Sequence, residues 1–233
     1  MVKQEKKEID LSSSLSDVWR VLSEQEREVL KARSIIRQYG RGEAIYSEGH
    51  IPEAMMCLLK GKVKISKQGV GGRSQIIRLV KPIQYFAYRA YFAGENYVTD
   101  ACAVEHSTVC LIPLSVVNEL IGSNLNLAMF FIRQLSIDLG IADERTVNLT
   151  QKHIRGRLAE SLLFLADCYG YEPDNATISI FLSREDLASL SNMTTANAIR
   201  TLSAFVSERI IALDGRKVKI LDEDRLQKIS RKG

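Results

Sequence analysis

Thr195, Ala196, Asn197 and Arg200 follow directly on Thr194, a residue able to cap a helix. If the chain is helical there, these four side chains fall on its first two turns. Their chemistry is recognition rather than bond-making. The methyls of Thr195 and Ala196 suit a thymine methyl, the Asn197 amide can pair with adenine through two hydrogen bonds, and the Arg200 guanidinium can reach guanine or a phosphate. The hydroxyls of Ser183 and Thr194, each at a helix start, favour phosphate oxygens. Residue types for bond-making chemistry lie apart. The three histidines, His50, His106 and His153, are isolated, and the four cysteines, Cys57, Cys102, Cys110 and Cys168, form no CxxC pair. With no serine elbow and no metal-ligand spacing, an enzyme, a disulfide framework and a zinc site are not expected. The cysteines read as small buried apolar residues.

The elements that must position the recognition residues are legible around them. Ser183 can cap a helix whose third residue is Asp186, with Leu182 and Leu187 placed as a hydrophobic staple. That helix ends at Asn192, which tolerates a left-handed backbone. The helix capped by Thr194 then runs to about Glu208, so two helices joined by a tight turn form a helix-turn-helix. Residues 209–213 and 216–221 read as two strands joined at Asp214-Gly215, a hairpin that makes a wing. The second helix is the one that enters a DNA major groove, which is wide enough to admit it. From residue 150 onward there are 13 Lys and Arg against 11 Asp and Glu. That small surplus permits DNA binding without identifying it, because phosphate contacts need local cations.

The rest of the chain is ordinary for a globular protein, with 45% hydrophobic and 26% charged residues. Residues 1–10 alternate Lys with Glu and read as a loose arm rather than a secretory signal. Ser23 and Glu26 have the spacing of a capping box. Short β-type runs follow at 34–39, 44–46, 55–59, 62–67, 75–80, 97–104 and 108–112, punctuated by glycines, and indicate a barrel or sandwich. The glycine-rich 69–73 lies between two strands and reads as a hairpin turn, not a phosphate loop. About 124–149 reads as a long helix with apolar residues, among them Leu127, Phe131, Leu135 and Ile141, on more than one face. Such a helix needs its own barrel and a second partner, most economically another copy of itself; packing on its barrel alone is the other reading. Apolar runs such as 54–59 are too short to cross a bilayer, so no membrane is expected. Residues 154–169 form a further amphipathic helix, ended by Gly170 and Pro173.

Several segments resemble the CRP/FNR superfamily of bacterial transcription regulators. Residues 40–49, GRGEAIYSEG, are similar to its barrel entry, and 58–65, LLKGKVKI, to its glycine hairpin. Residues 156–159, GRLA, resemble the start of its DNA-binding domain, and 183–188, SREDLA, the start of its helix-turn-helix. The resemblance covers nearly the whole chain. It implies an α+β fold: an N-terminal antiparallel β-roll (cupin-like jelly roll) sensor with a long dimerisation helix over 1–149, and a winged helix-turn-helix over 150–233. It further implies a cytoplasmic homodimer on a two-fold symmetric site in double-stranded DNA. The loop over 170–177 corresponds to a surface loop that some relatives present to RNA polymerase.

The departures bear on the signal. Cyclic-nucleotide-binding relatives carry Gly-Glu and Arg-Ser pairs that hold the ribose and the cyclic phosphate. The matching positions here read Ala87-Tyr88 and Tyr97-Val98, and the base-contacting pair falls on Ala142 and Asp143. With Arg89 facing away as a strand neighbour, the phosphate has lost its cation. Tyr88, Arg89, Tyr97 and Ala142 are therefore the candidate effector pocket, and cyclic AMP is not its expected ligand. No cysteine precedes Cys57, so the family's N-terminal iron–sulfur cluster is not expected, and no cofactor is assigned. Haem on a histidine, or a hydrophobic ligand among the aromatics of 85–91, are the alternatives, with a winged domain acting on proteins rather than DNA.

Overall fold

A computed structural model describes residues 15–232. The arm read over residues 1–10 lies outside the described residues. Helix α1 (Ser16–Val21) leads into α2 (Glu24–Arg33), which opens on the expected capping box: the Glu26 carboxylate accepts the Ser23 N–H at 2.8 Å, and Ser23 Oγ accepts the Glu26 N–H at 3.4 Å. Eight strands follow, interrupted by a 3₁₀ turn (Val70–Gly72) and a short α-helix: β1 (Ile35–Tyr39), β2 (Ala44–Tyr46), β3 (Ala54–Lys60), β4 (Val63–Gln68), β5 (Ser74–Val80), β6 (Tyr85–Phe86), α3 (Arg89–Phe92), β7 (Asp100–Ala103) and β8 (Ser107–Pro113). They form two four-stranded sheets, ordered β1-β8-β3-β6 and β2-β7-β4-β5, an antiparallel roll as expected. Then come α4 (Leu114–Ser123), α5 (Leu125–Gln151), α6 (Ile154–Tyr169), α7 (Arg184–Leu190), α8 (Thr195–Ser207), the hairpin β9 (Ile211–Asp214) and β10 (Lys217–Ile220), and α9 (Glu223–Lys232).

The chain packs into two units. One holds the described residues up to Val63 with Val80–Ser136; the other holds Lys64–Leu79 with Ile137 onward. The β4–β5 hairpin and the C-terminal half of α5 pack with the winged helices.

In the first unit Cys57 faces Cys110 across β3 and β8, and both are buried with Leu30, Ile112, Leu120 and Leu127. Burial pushes the Cys110 thiol up to about 11 and raises that of Cys57 as well, so both sulfurs are neutral small apolar groups. Cys102 and Cys168 are only half-buried, which corrects the expectation that all four are core residues. The LLKGKVKI turn requires glycine. Gly61 has φ +95°, and a Cβ there would lie 2.3 Å from Ser107 Oγ and 2.6 Å from the His106 carbonyl. Strand β7 is shorter than the run read over 97–104, because Tyr97 pairs with the 49–50 turn instead: its N–H donates to the His50 carbonyl at 2.9 Å and its carbonyl accepts from the Gly49 N–H at 2.7 Å. The glycine-rich segment 69–73 forms the β4–β5 turn, with Gly71 and Gly72 at positive φ.

Candidate nucleic-acid interface

The second unit builds the recognition surface from two caps and one turn. Ser183 Oγ accepts the Asp186 N–H at 3.0 Å, and the Asp186 carboxylate accepts from the Ser183 hydroxyl at 2.8 Å and N–H at 3.4 Å. This reciprocal box fixes the start of α7. It also engages the Ser183 hydroxyl, which is half-buried in its own cap. The helix ends at Leu190, two residues before the expected Asn192, and Asn192 takes the left-handed conformation at φ +50°. The turn is held by a buried hydrogen bond from Ser191 Oγ to Ser161 Oγ at 2.8 Å, and by the Arg157 guanidinium, which donates to the Asn192 carbonyl at 3.0 Å.

Thr194 then caps α8 through the Asn197 N–H at 3.2 Å. Ala198, Leu202 and Phe205 face inward and are fully buried, each large side chain contributing roughly 1.5–3 kcal/mol by burial. The opposite face presents Thr195, Ala196, Ile199, Arg200 and Ser203 to solvent. Thr194, at the cap, is exposed as well. Asn197 is half-buried, and its Oδ1 accepts a hydrogen bond from the Arg200 guanidinium. Its amide orients Arg200 instead of standing free to pair with adenine. Ile199, 46% exposed at the middle of this face, was missed. An isoleucine in a helix reads as core, yet its position three after Ala196, off the Ala198–Leu202–Phe205 stripe, was the available signal.

The wing pairs Lys217 with Asp214, leaving Gly215-Arg216 at the turn, one residue beyond the expected Asp214-Gly215. Gly215 has φ +55°, and its carbonyl accepts from the Arg184 guanidinium at 2.8 Å, which ties the start of α7 to the wing tip. Arg216 and Lys217 are exposed there, and Lys217 Nζ stands 5.8 Å from the Phe181 ring centre. With Arg200 they supply the local cations that phosphate contacts need. In the loop over 170–177, Asp174 accepts the N–H groups of Thr177 and Ala176 and the Thr177 hydroxyl, bonds that, led by the Thr177 N–H, hold its carboxyl well below the usual range.

The candidate effector residues differ in burial and partners. Tyr88 is buried against Phe131 and Phe92, at ring separations of 5.4 and 6.1 Å. Tyr97 stacks on Tyr46 at 4.0 Å, so it fills the roll. Ala87 has φ +70°, a left-handed backbone that suits glycine. The Arg89 guanidinium is exposed and pairs with Glu95 at 2.6 Å. Ala142 is exposed on α5 and belongs to the other unit.

The expected dimer residues divide. Leu127 and Phe131 are buried in the core of their own unit, and Leu135 packs against the same core. Ile141 is exposed, together with Leu125, Met129, Ile132 and Leu139. Leu125, Met129, Ile132, Ser136 and Leu139 follow a 4-3-4-3 spacing, the seam of a coiled coil.

The Cyclic nucleotide-binding domain family matches residues 36–124, and the Crp-like helix-turn-helix domain family matches residues 156–229. The chain is 23% identical over 194 residues to a "CRP-like cAMP-activated global transcriptional regulator" of Mycobacterium tuberculosis, covering 83% of this chain and 87% of the relative. It is 26% identical over 196 residues to the nitrogen fixation regulation protein FixK of Azorhizobium caulinodans, covering 82% and 77%. The structure of FixK2 from Bradyrhizobium japonicum superposes with a TM-score of 0.75 at 22% identity, over 84% of this chain and 96% of that one, a likeness of fold.

Proposed function

Because the chain belongs to the CRP/FNR superfamily of DNA-binding transcription regulators, we propose that it acts in the cytoplasm as a homodimer that reads a two-fold symmetric DNA site. The observation that carries this reading is α8: a capped helix, fully buried on one face, that offers Thr195, Ala196, Ile199 and Arg200 on the other. Such a face fits the major groove, with Arg216 and Lys217 of the wing at the phosphates. By length and composition α5 is apolar enough to cross a bilayer. Its heptad seam supports a different cover, the same seam of a second copy, and two copies present two α8 helices to two half-sites. The protein assembles with no membrane, and the 170–177 loop is the surface offered to RNA polymerase.

The roll senses a signal other than cyclic AMP, since the residues around the family's cyclic-nucleotide position do not fit a cyclic phosphate. Tyr97 stands where a cation is needed, and Arg89 is engaged by Glu95. The reading assigns no resident cofactor. His50, His106 and His153 are exposed at turns or helix starts, positions that offer haem no apolar enclosure.

Selection from a pool of random duplexes tests the proposal. Wild-type protein is expected to enrich a two-fold symmetric sequence and to bind it with a steep loss of affinity as salt rises, because phosphate contacts release counterions. Retention of no duplex, or a salt-independent signal, would favour a protein partner for the winged domain.

A further inference from the structure

One set of contacts in the second unit is not used by base readout. In the sheet order β5 is an edge strand, and its backbone groups are met by side chains rather than by another strand. Ser189 Oγ on α7 donates to the Ser74 carbonyl and accepts the Ile76 N–H, both at 2.7 Å. The Arg145 guanidinium on α5 donates to the Ile76 carbonyl at 2.6 Å, to the Ile77 carbonyl, and to the Leu190 carbonyl at 3.1 Å. Lys64 on β4 pairs with Asp186 of the α7 cap, and Arg78 on β5 pairs with Asp138 of α5 at 2.8 Å.

We infer that Arg145 is a positioning residue for the helix-turn-helix: it clasps the C-terminal end of α7 to the β4–β5 hairpin and so fixes the direction in which α8 meets DNA. The inference rests on the DNA-binding function of the winged domain. The chemistry favours arginine at this place. The last carbonyls of a helix lack partners within it, as do the outward groups of an edge strand. A planar guanidinium with five donors satisfies both at once; a lysine ammonium, a single point of charge, does not. The charge is held by neutral carbonyls at a partly buried place, and burial lowers its pKa from the ordinary arginine value. A charge is tolerated there only while those partners stay in place, so loss of either the hairpin or the helix end disfavours the whole arrangement. Arg157 holds the other side of the same turn at Asn192, so the clasp and the turn fix α8 from both ends of the Leu190–Asn192 segment.

Positioning has a signature that contact with DNA lacks. Base edges are read only when α8 lies at one angle, whereas phosphates can be met at many. Full-length Arg145→Met keeps an apolar stem and removes the donors. It is expected to bind a selected duplex about tenfold more weakly, within the range of such couplings, while its affinity for a scrambled duplex of equal length is unchanged. In the absence of DNA, amide exchange measured by mass spectrometry should accelerate in peptides covering 74–77 and 190–193. Ser189→Ala, which removes one hydroxyl, should move both readouts in the same direction by less. Three binding results would overturn the inference: full retention of selected-duplex affinity, equal loss on both duplexes, or a gain. Unchanged exchange at 74–77 and 190–193 would overturn it as well, and that measurement stands whether or not the wild type selects a sequence. A wild type without sequence preference would count against the DNA reading instead.

Discussion

Ile199 sits 46% exposed on α8, with Arg200 beside it and Ala196 one turn before. A branched apolar side chain on a face otherwise able to hydrogen-bond is suited to the C5 methyl of thymine, as the sequence reading proposed for Thr195 and Ala196. Replacing thymine by uracil in a selected site removes only that methyl. At one position in each half-site the wild type should lose about 0.8 kcal/mol, and Ile199→Ala should erase the difference. Indifference of the wild type to every uracil replacement would remove Ile199 from the readout. Arg200→Ala should cost about 1–3 kcal/mol on the selected site. Because Asn197 acts by holding Arg200, Asn197→Ala should cost less, and the double variant should bind no more weakly than Arg200→Ala alone. In the roll, the Tyr97 hydroxyl is buried without a protein partner among the described residues, and burial holds the phenol above its usual range, hence neutral. An unpartnered buried hydroxyl costs about 1–3 kcal/mol, so Tyr97→Phe should melt at the same temperature as the wild type or higher; a clear fall would mean that the hydroxyl is satisfied.

Helix α5 shows why apolar spacing alone does not name an interface. Its sequence carries two apolar stripes. Leu127 and Phe131 turn into their own core, where Phe131 meets Tyr88, Phe92 and Phe130, while Met129, Ile132 and Leu139 face outward. Asp substitutions on the two stripes should therefore differ in kind. Ile132→Asp and Leu139→Asp place like charges across a seam between copies, and should give folded monomers by sedimentation with helical content unchanged. Phe131→Asp puts a carboxylate into an apolar core at a cost of several kcal/mol, and should lose cooperative melting. A folded dimeric Ile132→Asp, Leu139→Asp double variant would place the interface elsewhere.

At the scale of the whole molecule, the fold matches that of CRP/FNR regulators, and the proposed exclusion of cyclic AMP is a matter of charge. A buried cyclic phosphate carries a charge that must be offset by a cation and by amide or hydroxyl donors. At the positions that the sequence resemblance aligns with that cradle, Tyr88 and Tyr97 are packed aromatics, and Arg89 is turned to Glu95 at the surface. Losing a charged partner costs a few kcal/mol, or two or more powers of ten in affinity. Calorimetric titration of ligand-free protein with cyclic AMP should give no binding heat in the micromolar range. Micromolar binding accompanied by tighter association with the selected site would show that the pocket is aligned wrongly.

What the sequence by itself determined is local. The caps at Ser23, Ser183 and Thr194, the left-handed Asn192 and the glycine turn at 69–73 depend on bonds that close within about one helical turn or one hairpin, so residue type at a fixed spacing suffices. The inward stripe of α8 is of the same kind, because helical geometry dictates which positions share a face. Only the tertiary structure decided which apolar stripe of α5 its own core buries and which it leaves exposed, that Tyr97 leaves its strand to stack on Tyr46, and that the Asn197 amide meets Arg200. It alone decided that the β4–β5 hairpin joins the winged unit, since Lys64 and Asp186, or Ser74 and Ser189, meet across more than a hundred residues. Spacing along the chain carries no information about such pairs: they form where packing of remote surfaces brings donors and acceptors together, and burial then makes an unmet partner costly.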